Sequence, residues 1–143
     1  MAPPLRATLV TLGVSDVERA AQFYAAMGLK RGVKSAKGVA FFKAGGVVLS
    51  LYGRDDLAQD ATVENSTPGF SGASLAYNVE REGSVESVLE AAAAAGGKII
   101  KPAQRAFWGG YSGYFADPDG HLWEVAHNPG FSLDEKGLIL LPP

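Results

Sequence analysis

The sequence contains no cysteine, which excludes disulfide bonds, thiolate metal ligands and a cysteine nucleophile. No apolar run approaches the roughly 20 residues that a membrane span needs. The net charge of −2 provides no basic footprint for nucleic acid. The 143 residues are enough for one domain with a substantial core. We therefore expect a globular protein with no nucleic-acid or membrane partner.

Several enzyme motifs are also missing. The sequence has no Gly-x-Gly-x-x-Gly after a predicted strand, no Walker loop and no Gly-x-Ser-x-Gly elbow. Its first residues lack the basic and apolar regions of a signal peptide. Because the absence of cysteine also suits a reducing compartment, we expect a cytoplasmic location.

The stretch 117–125 carries the clearest local signal. Its Asp-Pro-Asp-Gly start favours a tight turn, since proline presets φ and Gly120 accepts a positive φ. The aromatic-rich residues 111–116 before the turn and the alternating residues 121–128 after it are predicted as strands. The resulting hairpin carries one carboxylate, Glu124, on the face opposite its apolar neighbours.

The predicted elements occur twice in the order β-α-β-β-β. The first helix follows a capping box of Ser15 and Glu18 and ends at Gly28. The second covers 85–95, with Ser84 as its expected cap. The predicted strands cover 5–14, 30–35, 39–43, 47–52, 73–79, 98–101, 111–116 and 121–128. A repeated order within one chain indicates two similar modules.

We therefore predict an α+β fold, a single domain built from two βαβββ modules at about 5–53 and 72–128. The segment 54–71 between them is predicted as a linker or loop, with one helical turn near Leu57. Residues 129–143 form a tail.

Strand side chains alternate, so each predicted strand has two faces. One face is almost wholly apolar and is expected under the helices: Val10, Leu12, Val14, Val47, Leu49, Leu51, Leu75, Tyr77, Val79, Trp123 and Val125. The other mixes apolar and polar groups: Leu9, Thr11, Val48, Ser50, Tyr52, Ser74, Ala76, Asn78, Leu122, Glu124 and Ala126. Curved inward, this mixed face forms a cavity of the composition that small-molecule sites have.

The candidate ligand-binding residues come from two places. On the mixed face they are Ser50, Tyr52, Ser74, Asn78 and Glu124. Before the hairpin they are Arg105, Trp108 and Tyr111, where the aromatic rings can stack on a flat ligand and the arginine can pair with an anionic one. Core packing is the alternative for the aromatic cluster. Glu124 is interpreted as a general base, a polar anchor or a carboxylate paired with a neighbour.

Three segments, together with the doubled element order, resemble the vicinal oxygen chelate superfamily, the group of glyoxalases, bleomycin-resistance proteins and extradiol dioxygenases. They are 12–20, Phe23-Tyr24 with Gly28-Leu29, and 115–124. The resemblance implies a cupped mixed sheet with helices on its outer face, often completed in a homodimer. Its metal-dependent members hold one divalent ion with four cup-facing side chains, typically His, Glu or Gln. The matching positions here are Leu9, Ser50, Ser74 and Glu124.

Only Glu124 among these positions is a usual metal ligand. We therefore expect no cofactor and a protein similar to the drug-sequestering branch of the family, which binds a small aromatic or amphipathic molecule. The resemblance also implies a homodimer. In this interpretation Trp108 and Tyr111 stack on the ligand and Glu124 anchors it.

Two alternatives stay open. One is a glyoxalase-like lyase or isomerase, or a dioxygenase-related enzyme, with a degenerate site in which Glu124 is the catalytic base or binds a divalent metal with non-protein ligands. The other is an interaction protein whose cup is filled by its own tail, 131–141.

Overall fold

The computed structural model describes residues 4–66 and 69–141. The chain divides between Ser66 and Thr67 into two compact units. Each unit contains one four-stranded mixed sheet, and both follow the order β-α-β-β-β. The predicted α+β fold of two βαβββ modules is therefore confirmed.

The first unit has four strands and two helices. They are β1 (Leu9–Val14), α1 (Val17–Ala26), β2 (Lys30–Gly32), β3 (Val39–Ala44), β4 (Val47–Gly53) and α2 (Arg54–Ala61). The strand order is β1-β4-β3-β2, in which β1 is parallel to β4 and the other pairs are antiparallel.

The second unit repeats this topology. Its elements are β5 (Leu75–Asn78), α3 (Glu82–Ala94), β6 (Lys98–Arg105), β7 (Tyr111–Ala116), β8 (Leu122–His127), β9 (Ser132–Leu133) and β10 (Ile139–Leu140). The strand order is β5-β8-β7-β6, with β5 parallel to β8. The predicted tail forms the small β9–β10 hairpin, and residues 142 and 143 lie outside the described part of the chain.

The core of the first unit lies between α1 and one face of its sheet. The helix buries a stripe made by Ala20, Ala21, Phe23 and Tyr24. The sheet buries Ala40, Phe42, Leu49 and Leu51. The rings of Tyr24 and Phe42 lie 6.4 Å apart. Burying side chains of this size contributes about 1.5–3 kcal/mol each, so the helix is held by its apolar stripe.

The core of the second unit lies between α3 and the corresponding face of its sheet. The helix buries Val85, Leu89 and Ala92. The sheet side includes Phe115 and Val125, which are 4% and 0% exposed. Tyr77 is predicted in this apolar set but is 51% exposed. It belongs to β5, an edge strand of the sheet, where fewer neighbours cover a side chain.

Both helix starts differ from the prediction. Asp16, rather than Ser15, caps α1, because its Oδ1 accepts a hydrogen bond from the Arg19 amide at 3.1 Å. Ser15 Oγ instead accepts a hydrogen bond from Arg19 Nη2 at 3.0 Å. The helix α3 begins at Glu82, so Ser84 lies within its first turn and is not its cap. At α1 two adjacent residues have similar capping ability, and at α3 the residue before the helix makes no side-chain cap, so neither start is marked clearly in the sequence.

The segment 54–71 is more ordered than the predicted loop. In place of a single turn near Leu57, α2 runs over two turns and packs against β1 and β4. It ends at Thr62 in the left-handed conformation, at φ 58°. Residues 67 and 68 of this segment lie outside the described ranges. No helix in the described part of the chain is long and apolar enough to cross a membrane.

Candidate functional site

The site begins at the predicted turn between β7 and β8. Asp117 is 3% exposed, and its Oδ1 accepts hydrogen bonds from the amides of Asp119 and His121, each at 2.9 Å. Gly120 takes the expected positive φ of 89°. An aspartate that satisfies two turn amides fixes the hairpin and, with it, the register of β8.

Glu124 lies on the face of the second sheet that points away from α3. The helix covers the opposite face, where a Cβ on Gly113 would lie 2.7 Å from Leu89 Cδ1. Gly113 pairs with Val125, and Glu124 is the next residue along the strand. Because side chains alternate, Glu124 points away from the helix, as the sequence predicts.

Tyr114 is the immediate neighbour of Glu124 on this face. The two residues are directly opposite each other on β7 and β8. Burial raises the pKa of the Tyr114 phenol, and the Glu124 charge and a hydrogen bond to Glu124 raise it further. The phenol keeps its proton at neutral pH and donates a hydrogen bond to the Glu124 carboxylate.

A cavity of about 320 Å³ opens on the same side of the second unit. Its lining is mostly apolar, with one cation and one aliphatic hydroxyl: Phe70, Ser74, Ile100, Lys101, Tyr114 and Leu122. This volume is near the lower end of the roughly 300–1,000 Å³ typical of small-molecule sites. Tyr114 joins the cavity to Glu124, which is itself half-buried beside it.

Of the predicted ligand-binding residues in this unit, only Ser74 lines the cavity, and Leu122 of the mixed face lines it as well. Asn78 lies on the same face as Glu124, paired with Ala126, but does not reach the cavity. No described residue of the tail lines the cavity either. The described residues of the tail therefore give no support to the alternative in which the tail fills the cup.

The first unit has the same register but different chemistry. Ser50 pairs with Thr11 and Phe41, as Glu124 pairs with Ala76 and Tyr114. Ser50 is therefore the counterpart of Glu124, and Phe41 that of Tyr114. Ser50 is 3% exposed. The first unit thus places no ionisable pair at the position where the second unit has one.

Tyr52 lies two residues beyond Ser50, on the same face of the first sheet. It is half-buried and pairs with Gly13 on β1 and Val39 on β3. Both predicted residues of the first unit therefore share one face.

Arg105 and Tyr111 lie on the α3 side of the second sheet, away from Glu124. Arg105 forms a two-pronged ion pair with Glu82, with Nη2 3.1 Å from Oε2. Tyr111 donates a hydrogen bond to Glu86, and its ring centroid is 5.2 Å from Arg105 Cζ. The structure therefore does not bring Tyr111 and Glu124 together, because the two side chains lie on opposite faces of the sheet.

These contacts shift three pKa values. The hydrogen bond with Arg105 holds the pKa of Glu82 below its ordinary value, and the same bond raises the pKa of Arg105. The hydrogen bond to Glu86, which carries negative charge, raises the pKa of Tyr111. The cluster ties α3 to β6 and β7, so its observed role is packing and pairing within the unit.

Trp108 lies in the loop between β6 and β7 and is 40% exposed. Its indole ring covers the α-carbon of Gly110, where no side chain would fit. The loop is closed by a hydrogen bond from the Ala106 amide to the Gly110 carbonyl at 2.8 Å. Trp108 does not line the cavity. The structure therefore does not bring Trp108 into the cavity beside Glu124.

Lys101 is a cavity residue that the sequence does not reveal. The strand β6 is predicted to end there, with a loop over 102–110, but it continues to Arg105 and contains two irregularities. Ile99 pairs with Phe115 and Lys101 with Tyr114, so one extra residue is inserted in β6. A β-bulge of this kind re-aims the side chains beyond it.

The other cavity residues outside the predicted ligand-binding set are Phe70, Ile100, Tyr114 and Leu122. Leu122 belongs to the predicted mixed face, and the same alternation places Tyr114 on that face, opposite Glu124. Phe70 lies in the segment predicted as a loop, and the sequence contains no sign that it lies beside Ser74.

Two βαβββ units of matching register, one of them with a cavity beside a Tyr–Glu pair, define a class of paired-module α+β proteins. Comparison with family models identifies the family. The chain belongs to the glyoxalase/bleomycin resistance protein/dioxygenase superfamily, whose model matches residues 6–125. The comparison with curated proteins gives no match.

Solved structures agree with this assignment. A glyoxalase-related enzyme from Fulvimarina pelagi is 35% identical, with a TM-score of 0.86, and the match covers 96% of this chain and 99% of that one. A glyoxalase/bleomycin resistance protein/dioxygenase family enzyme from Burkholderia phytofirmans PsJN is 18% identical, with a TM-score of 0.74 and coverage of 84% and 96%. A lactoylglutathione lyase from Agrobacterium tumefaciens is 23% identical, with a TM-score of 0.66 and coverage of 88% and 96%. The last two show the fold alone.

The residues at the implied metal positions do not fit a divalent ion. Leu9 has no donor atom, Ser50 and Ser74 offer neutral hydroxyl groups, and Glu124 is the one carboxylate. No group of three or more His, Cys, Asp or Glu that could hold a metal occurs within 4–66 and 69–141. We therefore derive no chemistry through a metal at these positions.

Proposed function

We propose that this protein binds a small aromatic or amphipathic molecule in the cavity of its second unit, without a metal ion. The observation that carries the proposal is the cavity itself, about 320 Å³ with a mostly apolar lining. Family membership supports the class of function but does not identify the ligand.

The apolar side chains around the cavity favour a ligand with an apolar body. Phe70 is 80% exposed and Ile100 is 48% exposed. A ligand that covers them removes apolar surface from water, which stabilises a complex by about 25 cal/mol per Å² before the costs of association. The Tyr114 ring adds a flat surface on which an aromatic ligand can pack.

Calorimetric titration with naphthylmethanol, an uncharged amphipathic probe, tests this proposal in buffer containing EDTA. We expect saturable binding that weakens severalfold in Phe70→Ala, since truncation removes apolar contact area. The matched control is Phe107→Ala, because Phe107 is also exposed but does not line the cavity. Equal weakening by both substitutions, or no binding to the wild type, would contradict the proposal.

The metal-independent part needs its own experiment. Its support is the donor set, in which Glu124 is the one usual ligand at the four implied positions. Incubation with Ni²⁺, Mn²⁺, Zn²⁺ or Fe²⁺, followed by gel filtration and metal analysis, should leave less than stoichiometric metal. Stoichiometric metal that is lost in Glu124→Gln would overturn this part.

A second candidate is a metal-independent lyase or isomerase in which Glu124 is the base. Two observations favour it: the 35% identical solved structure is that of a glyoxalase-related enzyme, and Glu124 lies beside the cavity. A carboxylate held by a tyrosine hydroxyl next to an apolar pocket can accept a proton from a bound substrate. Turnover of an α-ketoaldehyde hemithioacetal that disappears in Glu124→Gln, with folding retained, would support this candidate over simple binding.

The proposal also includes a homodimer in the cytoplasm. The absence of cysteine suits a reducing compartment. Apolar side chains at the end of the chain are available for contact with a second copy: Ile139 is 40%, Leu140 54% and Leu141 78% exposed. Sedimentation equilibrium tests the dimer, and a mass of one chain at micromolar concentration would contradict it.

A further inference from the structure

The cavity contains one cation, Lys101, and the shape of β6 places it there. Ile99 pairs with Phe115, which faces α3, and strict alternation would then put Ile100 opposite Tyr114. The inserted residue shifts the register, so Lys101 is opposite Tyr114 instead. The bulge therefore turns a lysine toward the face that carries Glu124.

A glycine on the neighbouring strand makes room for this shifted backbone. A Cβ on Gly113 would lie 2.7 Å from the Lys101 carbonyl oxygen and 3.1 Å from the Ala103 nitrogen. Real Cβ atoms do not approach backbone atoms so closely, so a side chain at position 113 would push β6 away. The position of Lys101 is thus supported by close packing of β6 on β7.

The surroundings of Lys101 leave its charge available to a ligand. Within the described ranges, no carboxylate forms an ion pair with its ammonium group. Glu124, a carboxylate on this face, already accepts a hydrogen bond from the Tyr114 hydroxyl and does not line the cavity. Ser74, the other polar lining residue, adds a hydroxyl that can donate a hydrogen bond.

We propose that the ligand of the second unit is an anionic amphiphile, whose carboxylate pairs with Lys101 while its apolar body packs on Phe70, Ile100 and Leu122. This inference rests on the proposed function, since it specifies the ligand class of the same cavity. An ammonium beside an apolar pocket selects a negatively charged head group, because a cation would be repelled and a neutral group would gain less.

Three probes of matched shape and different charge test the inference: naphthylacetate, naphthylethanol and naphthylethylammonium. Calorimetric titration of the full chain at low ionic strength should show naphthylacetate binding about tenfold or more tightly than naphthylethanol, the range expected for a hydrogen bond to a charged group. The ammonium probe should bind more weakly than the alcohol. Raising the salt concentration should reduce the preference for the anion.

Substitutions on one strand assign that preference to a single side chain. Lys101→Met keeps the apolar stem but removes the charge, so it should abolish the preference for naphthylacetate, while Lys101→Arg should retain it. Lys98→Met is the matched control, because Lys98 lies on the same strand and face but does not line the cavity. Circular dichroism of each variant confirms that it folds.

The outcomes separate the inference from the proposed function. If no probe binds, both are overturned. If the three probes bind equally, or if Lys101→Met keeps the preference for the anion, the cavity binds ligands but the assignment to Lys101 is wrong. If the ammonium probe binds most tightly, the ligand class is reversed and the inference is overturned.

Discussion

Tyr114 and Glu124 lie directly opposite each other on β7 and β8, and the charge of Glu124 adds to burial in raising the pKa of Tyr114. The counterparts by register in the first unit are Phe41 and Ser50. One module therefore carries a coupled ionisable pair, and the other carries an aromatic ring and a buried hydroxyl. The two modules share a fold but differ in the chemistry available at the equivalent position.

The Tyr114–Glu124 pair predicts a change in stability at alkaline pH. The folded-state pKa of Tyr114 is raised above its ordinary value of 10.0, so the unfolded chain releases the phenol proton first. The protonated phenol contributes its full stabilisation below a pH of 10.0, and this contribution is lost as the pH rises through the raised pKa of the folded state. Urea unfolding across this range should show a steeper loss of stability for the wild type than for Tyr114→Phe.

Glu124→Gln tests whether the charge of Glu124 helps to raise the pKa of Tyr114. Loss of the negative charge should lower the pKa of Tyr114, but not to its ordinary value, because burial is the larger cause and remains. Ultraviolet absorbance titration, with Tyr114→Phe subtracted, isolates this phenol from the other four tyrosines. An unchanged pKa of Tyr114 in Glu124→Gln would show that the two side chains are not coupled.

The close packing around Gly113 predicts that one added methyl group lowers the free energy of unfolding. In Gly113→Ala the new Cβ meets Leu89 Cδ1 and the Lys101 carbonyl, each at 2.7 Å. Overpacking of this kind should destabilise the protein by about 1–3 kcal/mol in urea unfolding.

Gly32→Ala is the matched control for this substitution, because Gly32 also lies in a strand and its Cβ would meet nothing within 4 Å. It should be neutral or slightly stabilising, since alanine has less conformational entropy to lose. Equal effects of the two substitutions would mean that Gly113 is not closely packed.

Much of the fold could be predicted because its signals are local. The Asp-Pro-Asp-Gly sequence determines its turn through φ preferences and side-chain bonds to the backbone, so β7 has the predicted bounds, Tyr111–Ala116. Alternation then places Glu124 on the face away from α3. The same rule places Tyr111 and Tyr114 on opposite faces, since they are three residues apart on one strand, so only the Tyr114 ring shares a face with Glu124.

The lining of the cavity could be predicted only in part, because it depends on non-local features. Alternation assigns faces only along a regular strand, and the inserted residue before Lys101 breaks it. Pro102 is a hint, since proline within a strand indicates an edge or a bulge, and β6 is both irregular and at the sheet edge. Phe70 reaches the cavity from a connecting segment that carries no periodic signal.

Asp117 predicts that the hairpin depends on one carboxylate. Asp117→Ala removes the acceptor of two backbone amides, each at 2.9 Å, in a position that is 3% exposed. Leaving such donors unpaired should destabilise the protein by about 1.5–3 kcal/mol in urea unfolding.

Asp134→Ala is the matched control, because Asp134 accepts from the amides of Lys136 and Leu138 at 2.8 and 3.0 Å. Its hairpin joins the two-residue strands β9 and β10, which add little to global stability. We therefore expect a cost below about 1 kcal/mol. A larger effect for Asp134→Ala than for Asp117→Ala would reverse the assigned importance of the two hairpins.

Val33 predicts that one substitution to glycine stabilises the protein. Val33 follows β2 with φ at 47°, a left-handed conformation that costs an L-residue roughly 1–2 kcal/mol. Val33→Gly removes this strain but adds entropy to the unfolded chain, so we expect a net gain of up to about 1 kcal/mol in urea unfolding. Val63→Gly is the control, because the two valines are 64% and 63% exposed and only Val33 has a positive φ. Val63→Gly should destabilise, and a loss of stability in both variants would mean that Val33 is not strained.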